Sequence, residues 1–360
     1  MAIRDDSMMV SAPLHHAYPE WPGCGGRIKA TPEDFVVEEL PAYLPGGTGE
    51  HLYLWVEKRG ISTGALLQRL SELTGCKRNR IGHAGLKDSL GVTRQWVSLH
   101  MADDPPLAGH DGEAFRILRV ARHGNKLRPG HLRGNRFHIR VREVSPRPAL
   151  DAFLAALARR GCPNYFGPQR FGSRQDNAAA GRSLLLGEGG TRMAPDKRRF
   201  LVNAFQSALF NCVVDRRLSH GVAVDALLPG DLAMLHGSGG CFAVSEADLA
   251  AVLARAAAGE LSATAPLPGA AVPWAQETPG AWEQAVMAEA QLTPEAFQGQ
   301  RKRERFKGER RSVRMLPWDF SWQLESQAHG HDLLLSFALA PGQFATALLR
   351  EIIKGEQDWP

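Results

Sequence analysis

The hydrophobic period of the sequence changes twice along the chain, and this restricts the folds that it can form. Apolar residues alternate in "EHLYLWVEKRG" (residues 50–60) and in "NRFHIRVREV" (residues 135–144), which is typical of strands. The second segment places Phe137, Ile139 and Val141 on one face and His138, Arg140 and Arg142 on the other. From Asp151 the spacing becomes helical, and after the turn-rich "CPNYFGPQRFGSRQDN" it is mostly helical from about residue 175 to 257. The chain ends in "HDLLLSFALAPGQFATALLREIIKG", which predicts a strand, a Pro-Gly turn and a short helix.

These periods predict an α+β fold with a mixed sheet and a mostly helical insertion between two α+β pieces. In "STGALLQRLSELTG" (residues 62–75), Ser62 or Thr63 can cap a helix that Gly75 ends, with a stripe of four leucines on one side. The Pro, Gly and Ala-rich stretch from Ala263 to Trp282 predicts an irregular connection.

Composition excludes several classes of protein. No apolar run approaches the roughly 18 residues of a membrane span, and residues 1–21 lack the apolar core of a secretory signal, so a cytoplasmic protein is expected. The five cysteines are far apart and never in CxxC spacing, which argues against a disulfide framework and a thiolate zinc site. HExxH, GxGxxG and GxSxG are absent as well, so nothing indicates a metal, a dinucleotide or a serine hydrolase.

Basic residues are clustered. Residues 116–142 hold nine Arg or Lys and no Asp or Glu, and residues 301–314 hold eight basic and two acidic residues. A third cluster lies at residues 192–200. A single cluster is usually a solvated surface, but three separated clusters favour a polyanionic partner, because each cation placed on a phosphate releases counterions.

Asp88 is the most informative acidic residue, since it lies in "HAGLKDSLGVTRQW" (residues 83–96) between Gly85 and Gly91. Alone, it would be interpreted as a turn residue that accepts backbone hydrogen bonds. Lys87 suggests a phosphate loop, but GxxxxGK[ST] is absent and a carboxylate beside phosphates would repel them. An NTPase is therefore excluded.

Six blocks in order carry a resemblance: "RIKATPEDFVVEE", "HAGLKDSLGVTRQW", "RGNRFHIRV", "PNYFGPQRFG", "NAFQSALFN" and "PGQFATALLREI". Over residues 27–353 the chain resembles the TruD family of tRNA pseudouridine synthases. The resemblance implies an isomerase that acts on uridine 13 in the D arm of tRNA without metal or other cofactor. It also implies a catalytic domain formed by residues 1–160 and 315–360, with an inserted TRUD domain at residues 161–314. A monomer with no membrane partner is expected.

The resemblance implies roles for particular residues. Asp88 matches the catalytic carboxylate, which acts on a uridine that has left its stack. Because burial disfavours an ionised carboxylate, a cation must lie near it. Lys29 matches an active-site lysine and is the candidate for that cation, whereas Lys87 can point either way. Phe137 is expected to stack on the base and Asn135 to bond its edge, although alternation alone would place Phe137 in the core. Phe35 matches a further pocket residue.

Two other interpretations stay open. An RNA-binding or RNA-folding protein without the reaction would share the basic clusters, and a uracil glycosylase would release free uracil. The sequence also leaves open whether Asp88 attacks C1′, attacks C6 or assists a glycal route, and which group removes the C5 proton.

Overall fold

The computed structural model describes residues 14–107, 109–188, 193–298, 305–328 and 330–355. The chain divides into two compact units. We call Cys24–Pro148 with Pro317–Gln343 the sheet unit, and Met1–Gly23 with Ala149–Leu316 and Phe344–Pro360 the mixed unit. Among the helices of the described ranges, none has both the length and the apolar character needed to cross a lipid bilayer. The assignment of residues 1–160 and 315–360 to a catalytic domain and of residues 161–314 to an inserted TRUD domain stays a prediction.

The strands, in chain order, are β1 (Phe35–Pro41), β2 (His51–Arg59), β3 (Ile81–His83), β4 (Val92–His100), β5 (Phe115–His123), β6 (Leu132–Val144), β7 (Cys162–Pro163), β8 (Leu232–Leu235), β9 (Cys241–Ala243), β10 (Leu261–Leu267), β11 (Glu309–Ser312), β12 (Arg314–Met315), β13 (Trp318–Gln327) and β14 (Gly330–Leu339). The helices are α1 (Thr63–Thr74), α2 (Leu150–Arg160), α3 (Asn177–Leu186), α4 (Pro195–Ser219), α5 (Leu249–Ala257), α6 (Glu277–Glu289) and α7 (Ala345–Ile353). Short 3₁₀ turns lie at Pro32–Asp34, Arg78–Arg80, Pro168–Arg170 and Pro294–Gln298.

The sheet unit is built on one eight-stranded sheet. Seven strands follow the order β13-β14-β6-β1-β4-β2-β5, and β3 pairs with β4 beside this path. The β1 to β4 pair is parallel, whereas the other pairs of this sheet are antiparallel. The predicted α+β class with a mixed sheet is therefore confirmed.

The strand register assigns side chains to the two faces of this sheet. Phe35 pairs with Ile139 and Glu39 with Asn135, and directly paired residues share a face. We call this side the Phe35 face. The opposite side carries Glu38, which pairs with Arg94 of β4, and we call it the Arg94 face.

Helix α1 covers part of the Phe35 face, and its ends follow from local chemistry. The Ser62 side chain accepts a hydrogen bond from the Ala65 N–H at 3.1 Å, and Gly75 ends the helix with φ of 68°, which is strained for residues with a Cβ. The helix buries three leucines in one cluster with strand residues: Leu66, Leu67 and Leu70 against Leu54, Val56 and Val97. The fourth leucine of the predicted stripe, Leu73, is 44% exposed and lies outside that cluster.

The mixed unit contains helices and two small sheets. A four-stranded sheet has the order β11-β10-β8-β9, and β12 pairs with β7. Its core joins aromatic residues of α4 to small residues of β10, including Phe205, Phe210, Ala263 and Ala265. The helices α3, α4 and α5 confirm the predicted helical character of residues 175–257, although β8 and β9 interrupt it.

The prediction of an irregular connection over residues 263–282 is wrong at both ends. Strand β10 occupies Leu261–Leu267, and α6 begins at Glu277. Ala263 and Ala265 are poor strand formers by propensity, but both are buried against the core. Their packing in the tertiary structure therefore overrides local preference.

Arginines lie inside the mixed unit. Arg217 of α4 donates to both carboxylate oxygens of Asp231, at 2.7 and 3.0 Å, and both side chains are buried. The Asp231 carboxylate also accepts from the Leu228 N–H at 2.8 Å, so it fixes the turn that leads into β8.

We expect Asp231→Ala to lower the free energy of unfolding by about 3–5 kcal/mol, because Arg217 would stay buried without its counterion. Urea unfolding followed by circular dichroism measures this change. The control is Glu260→Ala, which removes the exposed pair with Arg255 and should cost under about 1 kcal/mol. Equal effects of the two substitutions would contradict a stabilising role for the buried pair.

Candidate active site

Asp88 lies in the segment that joins β3 to β4. Gly91 ends this segment, and a Cβ on Gly91 would lie 2.4 Å from the backbone oxygen of Phe35. A glycine is therefore required for the segment to enter β4 directly beside β1. This close approach brings Asp88 to the side of the sheet that carries Phe35.

Lys29 lies next to Asp88. Its Nζ is 3.8 Å from Asp88 Oδ2 and 4.5 Å from the centre of the Phe35 ring. The Lys29 side chain is 7% exposed, whereas that of Asp88 is 50% exposed. The ammonium is thus held against an aromatic face, where a cation–π contact stabilises it, and the carboxylate beside it stays open on one side.

The segment that carries Lys29 is anchored to β6. Arg27 and Arg142 exchange backbone hydrogen bonds of 2.9 Å in both directions. The Arg142 guanidinium donates to both oxygens of Asp34, at 2.7 and 2.8 Å. Burial alone would raise the pKa of the Asp34 carboxyl, but bonds from Arg142 and the Thr31 N–H outweigh it and hold that pKa below its usual range. Lys29 itself has φ of 56°, so its backbone is also constrained.

Lys87 points away from Asp88 and into the protein. Its Nζ donates to Glu39 Oε2 at 2.8 Å, and both side chains are buried. The other Glu39 oxygen accepts from the Trp96 N–H at 3.3 Å. The Lys87 N–H donates to Thr63 Oγ1 at 2.9 Å. Lys87 therefore joins the Asp88 segment to β1 and α1 directly, and to β4 through Glu39.

A second buried lysine also reaches this segment. Lys58, at the end of β2, is fully buried and donates to the backbone oxygens of Ile61 at 2.7 Å and Asp88 at 2.5 Å. Burial lowers the pKa of Lys58 to about 8, an effect that the Asp88 charge opposes and the Lys87 charge adds to.

The predicted base-contacting residues share the Phe35 face. Phe137 pairs with Val37 and with Phe337 in the register, and its ring lies 6.2 Å from that of Phe35 and 5.3 Å from that of Phe337. Both Phe35 and Phe137 are buried. Asn135 follows on the same face, where its Oδ1 is buried without a hydrogen-bond partner among the described residues. Such an atom is uncommon in folded proteins and marks a place where a donor can bind.

Three residues of this arrangement are not predicted to belong to the site: Lys58, Glu39 and Thr63. A signal for Lys58 is present, because it continues the buried phase set by Leu52, Leu54 and Val56 in β2. A charged residue at a position that alternation assigns to the core is a candidate for function. Glu39 and Thr63 offer no such signal, since their roles depend on contacts between distant segments.

Most arginines of β5 and β6 are paired with carboxylates rather than available to a ligand. Five of the seven arginines in these two strands form such pairs: Arg116 with Glu57, Arg122 with Asp104, Arg136 with Asp319, Arg140 with Glu325 and Asp332, and Arg142 with Asp34. Arg136 lies opposite Glu38 of β1 in the strand register, and both residues lie on the Arg94 face. The basic face of β6 is therefore not the face that carries the candidate site. Arg119, Arg128 and Arg133 are exposed and have no ion pair among the described residues.

In the described part of the basic run, residues 305–314, Arg310 and Arg314 are internal, whereas Arg305 and Lys307 are exposed. Arg310 donates to Glu283 and Thr264, and Arg314 donates to Ser262 and to two backbone oxygens. Both arginines are buried, so they cannot contact a phosphate. Residues 301–304 and 192, which belong to the predicted clusters, lie outside the described residues. In the described ranges, no group of three or more His, Cys, Asp or Glu could hold a metal ion.

Comparison with known proteins identifies the class. A family profile described as tRNA pseudouridine synthase D (TruD) matches residues 15–194 and 189–352. A tRNA pseudouridine synthase D from Thermus thermophilus is 43% identical over 337 residues, which cover 93% of this chain and 90% of that protein. One from Geobacter sulfurreducens is 37% identical over 399 residues, covering 93% and 95%.

The fold agrees with this class. A crystal structure from Methanosarcina mazei, described provisionally as a tRNA pseudouridine synthase D, superposes with a TM-score of 0.79 at 23% identity and covers 97% of both chains. The chain belongs to the TruD family of tRNA pseudouridine synthases, which are isomerases. The predicted family and enzyme class are therefore confirmed.

We expect the stability of the protein to rise between about pH 8 and pH 10.5 through Lys58. In this window the unfolded chain, whose lysine has the ordinary pKa of 10.5, holds a proton that Lys58 with its pKa of about 8 has lost in the folded chain. The cost of burying the charge is then relieved, with a slope of up to about 1.4 kcal/mol per pH unit. Urea unfolding across this range should show the rise in wild type and Leu70→Ala, and its loss in Lys58→Met. Parallel curves for wild type and Lys58→Met would contradict it.

Proposed function

We propose that this protein isomerises uridine to pseudouridine in tRNA, with Asp88 as the catalytic carboxylate and uridine 13 of the D arm as its target. The observation that carries the proposal is the half-exposed Asp88 carboxylate beside the buried Lys29 ammonium, 3.8 Å away. Membership of the TruD family supports the reaction. The target position comes from the resemblance of the sequence to that family.

The reaction breaks the bond between N1 and C1′ and forms the bond between C5 and C1′. The C5 proton leaves and N1 gains one, so atoms and electrons balance without a co-reactant. A uridine that enters the site excludes water from Asp88, and this disfavours the charged carboxylate. The same exclusion strengthens the attraction of Lys29, because charges interact more strongly at low dielectric. Lys29 thus keeps the carboxylate anionic when the base arrives.

Asn135, Phe35 and Phe137 are proposed to bind the flipped base. The unpartnered Oδ1 of Asn135 is an acceptor, and the N3–H of uracil is a donor at its pairing edge. Phe35 and Phe137 are buried before any ligand binds, so they would form the floor of the site. The sheet therefore offers a preformed apolar surface on which an extruded base can stack, worth about 1–3 kcal/mol. Lys87, which is engaged with Glu39, contributes by holding the Asp88 segment.

The tRNA backbone is proposed to meet Arg119, Arg128 and Arg133, which are exposed. Arg133 lies two residues before Asn135, at the irregularity where β6 passes the end of β1. The wider assignment of a catalytic domain to residues 1–160 and 315–360 is supported by Asp88, Lys29 and Asn135, which all fall within it. We further propose that the protein acts as a cytoplasmic monomer.

We expect Asp88→Ala and Asp88→Asn to form no detectable pseudouridine on a tRNA transcript, a loss of at least about 10³-fold, because both substitutions remove the reacting carboxylate. Base-resolved pseudouridine mapping measures the product, and filter binding measures the affinity for tRNA, which should change less than about threefold. Equal product from wild type and Asp88→Ala would refute the assignment. Binding by wild type without product would indicate an RNA-binding protein, and free uracil would indicate a glycosylase.

We expect Arg133→Ala to weaken tRNA binding about tenfold at low salt and to reduce the salt dependence of binding by about one released ion. Arg136→Ala is the matched control, because Arg136 lies on the Arg94 face and is paired with Asp319. Its affinity and salt dependence should stay close to wild type. If both substitutions act alike, the assignment of Arg133 to phosphate binding is wrong.

A further inference from the structure

Lys58 occupies an unusual position for a charged residue. It is fully buried on the Phe35 face, where it pairs with Thr93 of β4 in the register. Its hydrogen bonds among the described residues go to the backbone oxygens of Ile61 and Asp88, and to no carboxylate. A buried ammonium without a bonded counterion is costly, so its presence at the end of an apolar strand face needs a reason.

The Asp88 segment offers that reason. Lys87 is held by Glu39 and Thr63, but Leu86, Asp88, Ser89 and Leu90 are exposed. In the described part of the chain, the bond from Lys58 is the one hydrogen bond to the backbone of Asp88 itself. Without the bond from Lys58, Lys87 would be the last residue before β4 whose position is fixed by hydrogen bonds. The Asp88 carboxylate would then be free to move relative to Lys29.

We propose that Lys58 is a positioning residue for the reaction: its buried ammonium holds the backbone oxygen of Asp88, fixes the carboxylate beside Lys29, and supplies a second positive charge from the protein side. This proposal rests on the proposed function of Asp88. The two lysines contact different parts of Asp88. Lys29 lies next to its carboxylate, and Lys58 donates to its backbone oxygen.

The charges around Lys58 make its role sensitive to pH. Asp88 attracts its ammonium, Lys87 repels it, and the charge of Lys87 is itself matched by Glu39. Because burial lowers the pKa of Lys58 to about 8, its charge is lost in mildly alkaline solution. The neutral amine still has two N–H donors for two carbonyl oxygens, so deprotonation should reduce the rate without abolishing it.

The test is single-turnover formation of pseudouridine on a tRNA transcript by wild type, Lys58→Met, Lys58→Arg and Leu70→Ala. Lys58→Met should lower the rate about 10²-fold at neutral pH, the size of effect expected when a reacting group is misplaced by about 1 Å. The Kd for tRNA should stay within about twofold. Leu70→Ala, which opens a cavity under α1 in the same unit, controls for lost stability and should keep the rate while folded.

The pH profile separates positioning from mere support of the fold. The wild-type rate should fall above about pH 8, that of Lys58→Met should show no such decline, and Lys58→Arg, which stays charged, should move the decline to higher pH. A merely structural lysine would leave these profiles alike.

The outcomes separate the two proposals. A wild type that makes no pseudouridine refutes the proposed function. If wild type is active, a wild-type rate in Lys58→Met, or loss of rate and binding in equal proportion, refutes positioning by Lys58. Should both Lys58 variants fail to fold, the wild-type profile decides, and a flat rate from pH 7 to pH 9 overturns the proposal.

Discussion

The ion pair between Lys87 and Glu39 is the interaction on which the candidate site depends, because it ties the Asp88 segment to the centre of the sheet. Glu39 belongs to β1, and β1 runs parallel to β4, the strand that the Asp88 segment enters. The parallel pairing brings the start of β4 beside the start of β1, where Phe35 lies under Lys29. The topology of the sheet, more than any local motif, thus gathers the anion, its cation and the aromatic floor.

The sheet also separates two kinds of charge. On the Arg94 face, arginines and carboxylates neutralise each other across neighbouring strands, as Arg94 does with Glu38 and Glu57. On the Phe35 face, the charges are few, buried and directed at one segment. Partly exposed pairs contribute little each, whereas removing Lys87 or Glu39 alone would leave its buried partner without a counterion. The candidate site therefore lies on the face of the sheet where the loss of one charged partner destabilises the fold most.

Sequence patterns predict much of this architecture. Alternation identifies β2 and β6, the C-terminal pattern identifies β14, and helical spacing with a Ser cap and a Gly end identifies α1, because these signals are local. The strand β10 is not predicted, because alanine has a low strand propensity and its place in this strand depends on packing in the core. At the site, the family resemblance indicates Lys29 beside Asp88, whereas the direction of Lys87 cannot be deduced, because it depends on Glu39, 48 residues away. The same holds for the basic runs, whose partners come from distant strands.

The buried arginines of the mixed unit limit the substitutions that this chain tolerates. Arg314 divides its donors among a hydroxyl and two backbone oxygens in different directions, which the compact ammonium of lysine cannot imitate. The basic composition therefore has two origins, one architectural and one on the surface, and the first does not tolerate even an exchange of arginine for lysine. An isoelectric point near 9.1 counts both, so it overstates the charge that a polyanion meets.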